Sequence, residues 1–153
     1  MSEIIRITEQ LRRAHEGEAW HGPSVREALQ KVSAAQAAAK PIPNAHSIWE
    51  ITLHITSWDD AVRRWLAGQN FLSSDIDDWP AIPDTGEAAW EETVARLEAG
   101  QRALRAVVAA FEVSNLMLTP PGKTNSPYVL MLGIIQHAIY HAGQIALLRK
   151  AKA

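Results

Sequence analysis

Residues Trp90 to Phe111 read WEETVARLEAGQRALRAVVAAF. Apolar side chains fall at Trp90, Val94, Leu97, Leu104, Val108 and Phe111, with Gln101 in the middle of the series. The steps alternate between four and three residues, so these side chains form one stripe along a helix. Kept up over about three heptads, this is the period with which helices pack side by side in a bundle.

Working outward, the same period recurs between clear start and stop signals. Ser126 at an N-cap and Pro127 at the first helical position open a last helix to about Lys150, with Lys150 and Lys152 suited to its negative end. On the other side, Ser47 with Glu50 forms a capping box, opening a helix to about Ala67 with Gly68 as its stop. Ile48, Ile51, Ile55, Trp58, Val62 and Trp65 form its stripe. Asp84 or Thr85 is expected to cap the Trp90 helix. About 17 residues lie before it, with Asp75, Asp77, Asp78, Trp79, Pro80 and Pro83 among them. Ile4, Ile7, Leu11 and Ala14 give a first helix, roughly 2–16. Trp20-His21-Gly22-Pro23 breaks the chain. Ser24 with Glu27 then caps a short helix, and Ser33 with Gln36 repeats the device for one or two turns. No convincing alternating strand is present. The expected fold is all-α: a four-helix bundle with an extra short helix after the first. Long connections permit parallel neighbours and often form the mouth of a site.

The length of 153 residues suits a single domain over 1–153 with one full core. Hydrophobic residues make up 47% and charged residues 21%, which argues against disorder. The net charge is −2 and no run of Lys or Arg exceeds two, so nucleic acid is not an expected partner. Cysteine is absent, which removes disulfides, thiolate ligands, iron–sulfur clusters and a Cys nucleophile together. Met1 to Arg13 lacks a signal-peptide core, and a cytoplasmic location is expected. The apolar stretch Tyr128 to Leu148 contains Gln136, His137, His141 and Gln144. A membrane span would rarely carry four such groups, so a buried core helix is expected and no membrane partner.

The histidines carry the sharpest chemical signal. His137 and His141 stand at i and i+4 and project from one helix face, which Ile134, Ile145 and Leu148 share. Two buried neutral imidazoles must satisfy four nitrogens, and a divalent metal answers that cost by taking one nitrogen from each. The plain alternative is a pair of core histidines. A third ligand must come from another element, and His54 is the one remaining histidine well inside a long helix. His15, at the end of the first helix, and His46, before a cap, are expected to be solvated. The sequence His137-Ala138-Ile139-Tyr140-His141 lacks the Glu that a zinc protease needs after its first His. A di-iron bundle needs two Glu-x-x-His motifs, and only Glu18-Ala19-Trp20-His21 matches, beside a helix breaker.

Two stretches resemble the DinB-like family, also called the DinB/YfiT metalloenzyme superfamily. Ser47-Ile48-Trp49-Glu50-Ile51-Thr52-Leu53-His54-Ile55-Thr56-Ser57-Trp58 is similar to its second-helix motif. His137-Ala138-Ile139-Tyr140-His141-Ala142-Gly143-Gln144-Ile145 is similar to its last-helix motif, H-x-x-x-H-x-x-Q-I. The order of the two motifs and their separation of about 80 residues also match. Trp20-His21-Gly22-Pro23-Ser24 is similar to a subset of the family. The resemblance implies up-down-down-up topology, a homodimer, and a divalent metal held by His54, His137 and His141. Among its characterised members are thiol S-transferases that use bacillithiol and a mycothiol-dependent maleylpyruvate isomerase.

The reading is therefore a metal-dependent enzyme acting on a small-molecule substrate. Either a low-molecular-weight thiol S-transferase or a small-molecule hydrolase would use a three-histidine site with an open position. Imidazole suits Zn, Ni, Cu and Fe alike, so the sequence does not choose among them, and Zn or Ni is the expected ion. The alternative is a non-catalytic metal- or ligand-binding bundle. Glu50, one turn before His54, is a candidate base, although it already serves a capping box. His21 is a candidate acid–base group. Gln144 is placed to orient a ligand or a substrate. Trp20, Trp49 and Trp79 lie in or beside loops, where they would line a pocket or pack in the core. Asp75, Asp77 and Asp78 lack the Gly and Glu of a calcium loop and are expected to be solvated. Arg63, Arg64, Arg102 and Arg105 are the available cations for an anionic substrate, on helix positions that look exposed.

Overall fold

A computed structural model describes residues 2–82 and 84–151. Met1, Pro83, Lys152 and Ala153 lie outside the described residues, so the expectations for Pro83 and Lys152 fall outside them too. The described residues form six α-helices, two short 3₁₀ turns and no strand. The helices are α1 (Glu3–Glu16), α2 (Val25–Leu29), α3 (Ala34–Ala38), α4 (Ile48–Leu66), α5 (Glu87–Ala109) and α6 (Pro127–Leu148).

Most helix starts follow from serine chemistry. The hydroxyls of Ser2, Ser24, Ser33, Ser47 and Ser126 each accept a backbone N–H in the first turn of the helix that follows. Ser24 with Glu27 and Ser47 with Glu50 are full capping boxes. Gly68, at φ +82°, follows the end of α4 in the left-handed region that favours glycine. The start of α5 differs from expectation. Gly86 occupies its N-cap with no side-chain bond, and neither Asp84 nor Thr85 caps it. The Asp84 carboxylate instead accepts the Gly86 N–H at 2.8 Å, so it is used in a turn just before the helix. The last helix ends at Leu148, short of Lys150, and α3 makes a second short helix after α1.

Contacts along the helices fix their directions. Trp49 Nε1, in the first turn of α4, donates to Thr93 Oγ1 near the start of α5 at 3.1 Å, and its ring lies 5.1 Å from Trp90. The two helices are therefore parallel. Near the start of α4, His54 meets His137, while Trp65 and Leu66 at its end share a cleft with Pro127 and Leu130. So α6 runs antiparallel to α4. The segment from α1 to α3 climbs α5 from its end to its start. Glu16 pairs with Arg105, Arg26 with Glu98 at 3.2 Å, and the Ala34 N–H with Glu87 at 3.1 Å. The result is an up-down-down-up four-helix bundle.

The core runs down the bundle axis. Leu11 from α1, Ile55 from α4, Leu97 and Leu104 from α5, and Met131 and Ile145 from α6 are all at most 1% exposed. Trp49 joins them, so it packs in the core, whereas Trp20 stands in solvent. Among the described residues, α6 is the one helix long and apolar enough to cross a membrane. Here its inner face packs against α1, α2 and α4.

One histidine departs from expectation. His15 is buried, not solvated. The reason is architectural: α1 has 14 residues against 19 to 23 in the other long helices, so it stops part-way up the bundle. The chain continues through α2 and α3, leaving the end of α1 inside. His15 Nε2 lies 3.9 Å from Oδ1 of Asp59, which is fully buried on α4.

Leu104 has no exposed surface at the centre of the α5 stripe. Leu104→Ala should destabilise the fold by about 2–5 kcal/mol, the range for truncating a packed core leucine. Urea denaturation checks this, and a loss below about 1 kcal/mol would mean that the stripe is not the bundle seam.

Candidate metal centre

Two helices and one loop build the site. His137 and His141 project from one face of α6, and His54 reaches them from the antiparallel α4. His137 Nε2 lies 2.9 Å from His54 Nε2 and 3.1 Å from His141 Nε2. One ligand atom from each of the three falls within 4.8 Å of the others. Nitrogens around a tetrahedral zinc, each about 2.0–2.1 Å from it, stand roughly 3.4 Å apart. The donor set therefore fits a single divalent ion with little movement.

The outer nitrogens explain why the inner ones can bind a cation. His54 Nδ1 donates to the Asp78 backbone carbonyl at 2.7 Å, and the Asp78 carboxylate lies 3.2 Å from the same nitrogen. His141 Nδ1 donates to Gln144 Oε1 at 2.6 Å. A ring that carries its proton on Nδ1 presents a lone pair at Nε2, as a metal ligand must. Neighbouring lone pairs with no proton between them repel each other, and a cation at their centre turns that repulsion into attraction.

Burial favours the neutral form of His137 and His141. It pushes His137 down from the usual value near 6.5 to about 4, and the neighbouring His141 and His54 add to the shift. His141 is also lowered by burial, against the opposing effect of the hydrogen bond it donates to Gln144. Stacking fixes the orientation of His54. The Trp79 ring lies 4.0 Å from it and 7° from parallel, and His46 stacks on the far side of Trp79 at 3.5 Å.

The other candidates lie elsewhere. Glu50 is committed to its capping box and to Lys40 at 2.8 Å. Partial burial raises its pKa, but Lys40 and Ser47 outweigh this and hold it below the usual carboxylate range. His21 is exposed and does not join the three histidines. Asp78 is exposed, as expected, and it also serves the site: its backbone carbonyl accepts from His54 Nδ1, and its carboxylate accepts the Trp58 Nε1–H at 2.6 Å. No spacing rule in the sequence links it to His54, because the connection runs through a loop. Trp58 stands 6.2 Å from His137 and walls an apolar cleft of about 980 Å³, which Trp65, Phe71, Phe111, Leu130 and Lys123 also line. Arg63 and Arg64 pair with Asp60, Arg102 with Glu98 and Arg105 with Glu16, so each already faces a carboxylate.

A sequence profile of the DinB superfamily matches residues 8–145. The chain belongs to the DinB superfamily. Its fold is similar to that of a conserved protein from Enterococcus faecalis known from a crystal structure, with a TM-score of 0.71 and 20% identity. That match covers 99% of this chain and 97% of the other. A comparison with functionally curated proteins finds no match. Membership and the three clustered histidines fit a metal-binding DinB protein.

The pH dependence of the metal-free fold follows from these groups. His15 is lowered to about 3 by burial, with Arg105 and His137 adding to the shift, and His137 and His141 are lowered as well. Below about pH 6.5 the unfolded chain takes up protons that these folded histidines refuse, so each costs stability as pH falls. Asp59 acts in the opposite sense. Burial raises its pKa, so its contribution is full at low pH and is lost as pH rises above its unfolded value. Three groups oppose one, and the lowered carboxyls of Glu9, Glu27 and Glu50 titrate below this window. The urea midpoint of metal-free protein should therefore fall between about pH 6.5 and about pH 5. Equal midpoints would mean that the histidines are solvated.

Proposed function

We propose that this DinB protein is a metal-dependent enzyme in which His54, His137 and His141 hold a divalent ion, Zn or Ni, beside a small-molecule cleft. The convergence of three Nε2 atoms, with two of the rings anchored at Nδ1, carries the reading. Among the described residues no fourth His, Asp or Glu joins the group. That supports an open, catalytic type of site over a closed structural one.

When bound, such an ion lowers the pKa of a coordinated water or thiol and so supplies a nucleophile near neutral pH. The chain's own residues set the surroundings. Asp78 and Gln144 hold two imidazoles in the binding tautomer, and Trp79 fixes the His54 ring plane. Trp58 separates the histidines from the apolar cleft. A low-molecular-weight thiol S-transferase reaction on an apolar acceptor is the activity we favour, and hydrolysis of a small molecule is the second. The pairing of Arg63, Arg64, Arg102 and Arg105 with carboxylates supports an acceptor of low charge.

Elemental analysis of tag-free protein purified without chelators tests the site, beside His54→Ala. About one divalent ion per chain, lost in the variant, is the expected result for an open single-metal site. Metal-free protein that also fails to take up added Zn²⁺ or Ni²⁺ would overturn the reading.

We also propose a homodimer. Val129, Tyr140 and Leu147 are exposed on α6, and their spacings of eleven and seven residues place them on one outer face. That unpartnered apolar stripe supports the dimer which the family resemblance implies. Leu147→Glu should then shift the sedimentation of the protein from dimer to monomer while leaving its helical content intact. A monomeric wild type would refute it.

A further inference from the structure

Residues of the connection after α4 and of the segment before α6 line the cleft of about 980 Å³, a volume usual for a small-molecule site. Trp58, Trp65 and Phe71 form an aromatic row in it. Leu72 and Leu118 also line it, although they are 66% and 61% exposed. Large apolar side chains left open to water in a cleft are surface for a ligand to cover.

The row has a direction. The Trp58 ring lies 6.2 Å from His137 and 6.2 Å from Trp65, and Trp65 stacks on Phe71 at 5.0 Å. Trp58 and Trp65 stand four and eleven residues beyond His54 on α4, about 6 and 16.5 Å further along its axis. On the facing helix, Pro127 precedes His137 by ten residues, about 15 Å. The cleft thus starts beside the histidines and runs away from them, past the end of α4.

A cation stands at the far end. Lys123 is the single charged residue among those that line the cleft. It is half-buried, and its ammonium donates to the Phe71 carbonyl at 3.3 Å. An ammonium has three donors, so two still need partners. Arg63, Arg64, Arg102 and Arg105 each face a carboxylate, whereas Lys123 has none among the described residues. A partly desolvated ammonium on an apolar wall favours an anion, because a charge-assisted bond is stronger there than in open water.

We propose that the cleft binds a carboxylate with an extended apolar body. The body lies along Trp58, Trp65 and Phe71, the carboxylate meets Lys123, and the other end of the molecule faces the three histidines. Lys123 is then the residue that selects the head group. Calling this ligand the substrate rests on the metal reading above, and its single charge agrees with an acceptor of low charge.

Calorimetric titration of metal-free protein tests the proposal. The probes are decanoate, decanol and decylammonium, one chain with three head groups, each kept below its aggregation limit. Wild type should bind decanoate at least about tenfold more tightly than decanol, the scale of a hydrogen bond to a charged group, and decylammonium most weakly. Butanoate should bind at least about tenfold more weakly than decanoate, since it lacks six methylenes to bury. Lys123→Met keeps an apolar stem, so decanol affinity should stay within about threefold while decanoate falls to the same level. Lys123→Glu should invert the order and favour decylammonium, a result that loss of folding does not produce. Lys150→Met, at an exposed lysine after α6, should rank the probes as wild type does. No binding of decanoate, equal affinity for the three head groups, or a decanoate preference that survives Lys123→Met overturns the proposal. If the Lys123 variants lose helical content, the wild-type order decides. Protein that binds no Zn²⁺ yet ranks the head groups as expected defeats the metal reading and leaves this site standing. Protein that binds Zn²⁺ and ranks them equally does the reverse.

Discussion

The antiparallel seating of α4 on α6 is the constraint on which the rest depends. It brings a single histidine from one helix against a pair from the other, with Nε2 atoms 2.9 and 3.1 Å apart. A slip of one helical turn would shift the partners by about 5.4 Å and scatter the three rings. Small residues hold the register. Ala138 and Ala142, both essentially without exposed surface, lie among the histidines on α6 and let the two helices approach closely. Ile51 and Ile55 pack from the α4 side, on either side of His54. The core and the site are thus one set of contacts.

That arrangement places neutral bases where water is largely excluded. Burial favours the uncharged ring, which is the form that binds a cation, so desolvation and ligand chemistry act in the same direction at His137 and His141. The same burial works on His15 and Asp59, disfavouring the charged form of each. A bundle with an apolar layer at this level would avoid the desolvation cost.

Much of this was legible in the sequence, because the informative features are local. The capping boxes at Ser24 and Ser47, the proline at the start of α6, and the four-three stripe of α5 each depend on residues within one or two turns. The i, i+4 histidines are likewise read from one helix, and the family motif adds His54. What escaped depends on tertiary placement. His15 looked like a fraying helix end, since nothing local shows that α1 stops part-way up the bundle. Asp78 is the solvated loop residue it looked to be, but its hold on His54 escaped, since that partner is 24 residues away across a loop. Asp84 has the chemistry of a helix cap and spends it two residues early, on the N–H of the Gly86 N-cap.

Topology links the missed loop to the site. Parallel neighbours α4 and α5 require the chain to return along the bundle between them. The span is roughly 28 Å for a helix of 19 residues rising 1.5 Å each. Residues 67–86 are more than enough, since an extended chain covers about 3.3 Å per residue. The return has slack, and it uses that slack to dock on the α4–α6 face. Trp65 Nε1 takes the Phe71 carbonyl, Trp58 takes Asp78, and Trp79 lies flat on His54. A four-helix bundle joined by tight antiparallel turns would have no segment at that place. The up-down-down-up order therefore does more than arrange helices. It obliges a long connection to pass over the histidines, and that connection supplies the acceptor for His54 and the aromatic surface beside it.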